Sequence, residues 1–88
     1  SDPETTSFAI YPNPANKDFY LAFNNVVPGA ANLFITDVSG RIIQSQAIRL
    51  QKGRQVIALS SSQLSAGIYF VTVSLKGNSN TRKLVIVK

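Results

Sequence analysis

The chain has 88 residues, 44% of them hydrophobic, and nine Lys and Arg against four Asp and Glu give a net charge of +5. That length holds one domain and leaves no room for a second core, and the composition is too apolar for a disordered tail. Cysteine, histidine, tryptophan and methionine are absent, which removes disulfide staples, thiolate metal ligands and the common nucleophile–base pairs.

Residues Ser1 to Ser7 are polar, include Pro3 and show no periodicity, so they read as a linker ahead of a single domain over residues 8–88. Ser1-Asp2-Pro3-Glu4 reads like the interior of a longer polypeptide and not like a signal peptide. The first predicted strand is Phe8 to Tyr11, stopped by Pro12-Asn13-Pro14, where two prolines remove ladder donors and restrict their neighbours. Asp18 to Phe23 follows, with Phe19, Leu21 and Phe23 alternating against Tyr20 and Ala22, and Pro28-Gly29 turns the chain. Asn32 to Val38 is the third strand, with Leu33 and Ile35 opposed to Phe34 and Thr36. Ser39-Gly40 is a hairpin signal, and the Asp37 side chain is suited to cap it.

Arg41 to Ile48 returns antiparallel, and Lys52-Gly53 turns again into Arg54 to Leu59, buried through either Val56 and Ala58 or Ile57 and Leu59. Ser60 to Gly67 reads as a polar corner, too short and serine-rich for a helix. Ile68 to Leu75 carries the clearest pattern, with Tyr69, Val71, Val73 and Leu75 on one face. Lys76 to Asn80 reads as a turn and Arg82 to Lys88 as the last strand. Seven short strands at such spacing predict an all-β fold, a seven-stranded antiparallel immunoglobulin-like β-sandwich, with a small barrel as the alternative.

The charged residues exclude further classes. Asp2 and Glu4 lie in the linker, while Asp18 and Asp37 are isolated in sequence, so no carboxylate pair is set up for acid–base work. Calcium needs several carboxylates at close spacing, and Asp37 to Arg41 supplies one. The chain is expected to be no enzyme and to need no cofactor. The basic residues spread from Lys17 to Lys88 with only Arg82-Lys83 adjacent, a pattern of solvated faces and edge-strand lysines and not of a nucleic-acid patch. No apolar run approaches the roughly 20 residues of a transmembrane segment.

Two segments stand out. In Leu64-Ser65-Ala66-Gly67-Ile68-Tyr69, a tyrosine near the start of a late strand is placed to hydrogen-bond upstream and pin a corner, with Gly67 easing the backbone. Lys83-Leu84-Val85-Ile86-Val87-Lys88 puts four apolar residues between lysines. A central strand buried on both faces is the favoured reading, and an edge strand open to a partner is the other.

Together, Tyr11-Pro-Asn-Pro14, Asp37-Val-Ser-Gly-Arg41, Leu64-Ser-Ala-Gly-Ile-Tyr69 and Lys83-Leu-Val-Ile-Val-Lys88 resemble the type IX secretion system sorting domain, type A, over about Phe8 to Lys88. The resemblance implies a C-terminal signal on a protein of a Gram-negative bacterium, carried to the periplasm and then across the outer membrane to the cell surface or the medium. Its implied partners are the type IX translocon, an outer-membrane shuttle protein, and a sortase-like cysteine protease that removes the domain in or just before Ser1–Ser7 and often attaches the cargo to anionic lipopolysaccharide. By motif, Lys83, Leu84, Val85, Ile86, Val87 and Lys88 are implied to carry recognition. Pro12, Asn13, Pro14, Asp37, Gly40, Arg41, Gly67 and Tyr69 match family motifs that serve folding or contact. A mechanism consistent with these readings has the terminal strand pair through its backbone with the export machinery.

The competing class is a fibronectin-like or carbohydrate-binding adhesive module, which the lack of Trp and the alternation of Phe and Tyr disfavour. A plain structural spacer is a third reading. An unpaired edge strand also leaves a homodimer open.

Overall fold

Period-two alternation of apolar with small or polar side chains runs through most of the chain, and each strand buries the apolar half of its own pattern. The computed structural model describes residues 8–24, 28–75 and 77–88. The strands are β1 (Phe8–Tyr11), β2 (Phe19–Phe23), β3 (Gly29–Asp37), β4 (Ile42–Leu50), β5 (Gln55–Leu59), β6 (Gly67–Leu75) and β7 (Asn78–Ile86). They form two sheets, ordered β1-β2-β5 and β4-β3-β6-β7, and every strand pair is antiparallel. The pairings keep the two sheets separate among the described residues, so the closed-barrel alternative falls.

One core lies between the sheets. Phe19, Leu21 and Phe23 of β2 meet Leu33 and Ile35 of β3, Val71, Val73 and Leu75 of β6, and Leu84 and Ile86 of β7 in a single buried cluster. Burial of each such side chain contributes about 1.5–3 kcal/mol, which makes this seam the main source of stability in a chain without disulfides. On β5 the inward pair is Ile57 and Leu59, partly buried against the core, while Val56 is exposed. The pairing of β3 with β4 shifts register between Ile35 and Thr36. That irregularity turns Ile43 toward the core while its neighbour Ile42 stays 56% exposed.

Three expectations need correction. β3 begins at Gly29, earlier than Asn32, because its first residues pair with the end of β4, Gly29 opposite Leu50. β7 begins at Asn78, so the turn predicted over Lys76 to Asn80 is too long; Lys76 itself lies outside the described residues. Leu75 pairs with Asn78, and Gly77, just before Asn78, takes a φ of 83°. Cross-strand partners on β6 hold Asn78 to Asn80 extended although their own propensities favour a turn. Finally, the terminal segment is not a central strand. β7 is an edge of its sheet, with Leu84 and Ile86 buried, Val85 half-buried and Val87 exposed beyond the strand end. The linker over Ser1–Ser7 lies outside the described residues.

Candidate functional site

Strand pairing gathers the sequence motifs at one end of the domain. Asp37 of β3 pairs with Tyr69 of β6, and Tyr69 pairs with Leu84 of β7. Gly67 pairs with Ile86. Three segments far apart in the chain thus share adjacent rungs of one sheet. The fourth, Pro12-Asn13-Pro14, arrives from the other sheet.

That arrival covers the terminal strand. An edge strand normally leaves alternate N–H and C=O groups open to pairing. Here the Asn13 carboxamide takes the place of a peptide: Nδ2 donates to the Lys83 carbonyl at 2.9 Å, and Oδ1 accepts from the Val85 N–H at 3.0 Å. Ala15, fully buried, continues the line, donating to the Val85 carbonyl and accepting from the Val87 N–H, each at 2.8 Å. The result is a short parallel bridge, Ala15 to Ile86. Tyr11-Pro12 and Asn13-Pro14 are both cis. Sequence reasoning took this segment for a strand stop and missed its role as a cover, since a side-chain surrogate for a strand leaves no periodic signal.

Beyond the cover, Arg82 pairs with Val71, a core-facing residue, and its Nε donates to the Phe8 carbonyl of β1 at 3.1 Å. This cation spans the open side between the two sheets, where a groove of about 430 Å³ is lined by Phe8, Ala9, Ile10, Asn13, Arg82 and Lys83. At the chain end, Lys88 folds back so that its Nζ donates to the Ser61 carbonyl at 2.9 Å. Ser61 is buried, and its carbonyl also accepts from the Leu64 N–H at 2.9 Å.

The corner expected at Tyr69 is present. The ring is 7% exposed, and its hydroxyl donates to the Ser65 carbonyl at 2.8 Å. Gly67 opens β6 beside it, where an added Cβ would sit 3.9 Å from the Tyr69 ring.

The hairpin at Asp37 is also as expected. Asp37 Oδ1 accepts from the Ser39 hydroxyl at 2.6 Å, the Ser39 N–H at 2.9 Å and the Arg41 N–H at 3.1 Å. Gly40 takes a φ of 91° with open space around it, a left-handed conformation that glycine adopts without strain. The Ser39 hydroxyl, helped by the two backbone donors and the Arg41 charge, holds the Asp37 carboxyl below its ordinary value against the opposing effect of desolvation. Arg41 itself lies 3.8 Å from Asp37 and is 78% exposed, so the ion pair adds little.

The Asp37 carboxylate and the Ser39 hydroxyl hold the turn, the Tyr69 hydroxyl holds the corner, and no group of three metal-ligating side chains exists among the described residues. No helix of the structure is long and apolar enough to cross a membrane.

The family model described as "Secretion system C-terminal sorting domain" matches residues 9–87. No curated protein sequence matches the chain. The chain belongs to this family of type IX secretion sorting domains, whose members are sorting signals and not enzymes, and which implies export to the cell surface or secretion.

Proposed function

We propose that, as a member of this family, the chain is the address that the type IX translocon reads on its cargo, with Lys83–Lys88 as the segment recognised. The observation that carries the reading is the convergence of the four motif segments on the end of the domain where that segment lies. In this reading the domain folds in the periplasm, an outer-membrane shuttle protein receives it with the translocon, and a sortase-like cysteine protease removes it at the surface in or before Ser1–Ser7. The remaining motif residues serve chiefly to hold the terminal strand: Asn13 by pairing, Tyr69 by the corner, and Asp37, Gly40 and Arg41 by the hairpin.

An immunoglobulin-like class supports the same reading. The order β1-β2-β5 beside β4-β3-β6-β7 corresponds to strands A-B-E beside C′-C-F-G, and Tyr69 lies where the tyrosine corner of such folds lies.

The test is a secreted reporter carrying this chain at its C-terminus, with and without Lys83–Lys88, in a type IX-competent host. Surface delivery of the first and periplasmic retention of the second is the expected result, and equal retention of both would remove the sorting role.

One observation favours the adhesive alternative. Tyr20, which alternates with the core residues of β2 as its spacing predicts, faces outward together with Tyr11, their ring centroids 5.5 Å apart, on a face shared with Ala9, Ala22, Val56 and Ala58. Such a pair is a sugar-stacking platform in miniature. Binding of the isolated domain on a glycan array, lost on Tyr11→Ala, is what this reading requires.

A further inference from the structure

The terminal segment has few groups left for a partner to touch. Leu84 and Ile86 are 0% and 1% exposed. The outward backbone groups from the Lys83 carbonyl to the Val87 N–H are paired with Asn13 and Ala15. The Lys88 ammonium is engaged by Ser61. What stays readable is the set of side chains turned away from the core: Lys83, Val85 and Val87.

These side chains border an apolar field on the outer face of the four-stranded sheet. Val85 pairs with Ile68, and Lys83 pairs with Phe70. Phe70 continues through Thr36 to Ile42 on β4. Ile42, Ile68 and Val87 are 56%, 43% and 46% exposed, so the field is open to solvent. A contiguous apolar patch of this kind on a small domain marks an interaction surface. The charged position that borders it on the strands, Lys83, is cationic, Arg49 farther along the same face is cationic too, and the sequence holds no Asp or Glu after Asp37.

We infer that the outer face of β6 and β7, centred on Ile68, Phe70 and Val85 with Lys83 at its rim, docks against an apolar, acid-rimmed protein surface of the export machinery. The inference rests on the sorting reading and replaces the backbone pairing expected from sequence with recognition by side chains. The apolar centre supplies affinity by leaving water, and the cationic rim selects an acidic counterpart and steers its approach.

The test uses the same surface-delivered reporter. Ile68→Thr with Val85→Thr keeps β-branched side chains and the strand pattern while making the face polar. Delivery is expected to fall by about tenfold or more, as for central interface residues, with the melting temperature of the purified domain unchanged. Lys83→Glu is expected to lower delivery as well. Val56→Thr, exposed on the other sheet, is the control and is expected to have no effect. Failure of the unsubstituted fusion to reach the surface overturns the sorting reading. Delivery of the unsubstituted fusion together with full delivery of the folded double variant overturns the docking face alone, as does an equal loss with Val56→Thr. Two further measurements name the rival occupants: co-sedimentation with vesicles of anionic lipid, or concentration-dependent dimerisation, either one abolished by the double variant, overturns a protein partner in favour of a lipid surface or a second copy.

Discussion

The Asn13 side chain donates to the backbone carbonyl of Lys83 at 2.9 Å, joining positions 70 residues apart. A carboxamide carries the same donor and acceptor as a peptide group, so one side chain stands in for a residue of strand. With Ala15 it leaves the end of β7 covered and the domain without an open template for aggregation at that point.

Asn13→Ala removes both side-chain bonds while Ala15 keeps its own. The expected cost is about 1–2 kcal/mol, at the modest end because the bonds are exposed. Denaturant titration measures the loss, and hydrogen exchange at the Val85 amide should quicken before that of β6. An unchanged Val85 exchange rate would mean that the cover rests on Ala15 alone.

Tyr69→Phe keeps the buried ring and deletes the hydroxyl that reaches Ser65. A loss of about 0.5–1.5 kcal/mol follows, lowering the melting temperature by roughly 4–8 °C per kcal/mol in a domain of this size. Tyr11→Phe, at an exposed position, is the comparison and should melt with the parent. Equal melting of all three proteins would show that the corner contributes nothing to stability.

Asp37 gives stability a specific dependence on pH. Its carboxyl titrates below 3.8 in the folded domain, chiefly because of the Ser39 hydroxyl. A depressed folded value means that the ionised form stabilises the fold above about pH 4, and this stabilisation fades as pH falls through 3.8 and then through the folded value. Ser39→Ala should raise the Asp37 value toward the ordinary one, as read by NMR titration. Asp37→Asn should unfold more easily than the parent at pH 7, with the two unfolding midpoints converging in acid.

Gly77 sits in the left-handed region, and a methyl group added to its Cα would meet nothing within 4 Å, so its requirement is conformational and not steric. Gly77→Ala should cost roughly 1–2 kcal/mol through backbone strain, and Gly77→Asn less. The denaturant midpoint should move while the slope stays constant. A neutral Gly77→Ala would mean that the hairpin relaxes without loss.

Much of the fold was legible because burial is one-sided on most strands. Tyr69, Val71, Val73 and Leu75 lie inward as their spacing demands, and so do Phe19, Leu21 and Phe23. The Asp37 hairpin and the Tyr69 corner were legible because turn and corner chemistry is local, within four residues. The start of β7 was not, because Asn78-Ser79-Asn80 carries turn residues that only the partner strand holds extended. The run Leu84 to Val87 suggested burial on both faces because its sequence does not say that Val85 and Val87 lie on the face turned away from the core. The outward apolar field was likewise hidden, since Ile68, Phe70, Ile42 and Val85 come from three strands whose register sets them side by side.

The bridge between Ala15 and Ile86 bears on the order in which the chain is made. Synthesis delivers Asn13 and Ala15 early and their partners nearly last, so the early segment waits through almost the whole domain for the groups it will bind. A chain interrupted before Leu84 leaves Gly67, Ile68 and Tyr69 without their β7 partners and Ala15 without its seat. The cover over β7 therefore closes only once residues 85 and 87 are in place, although the segment that forms it lies near the other end of the domain.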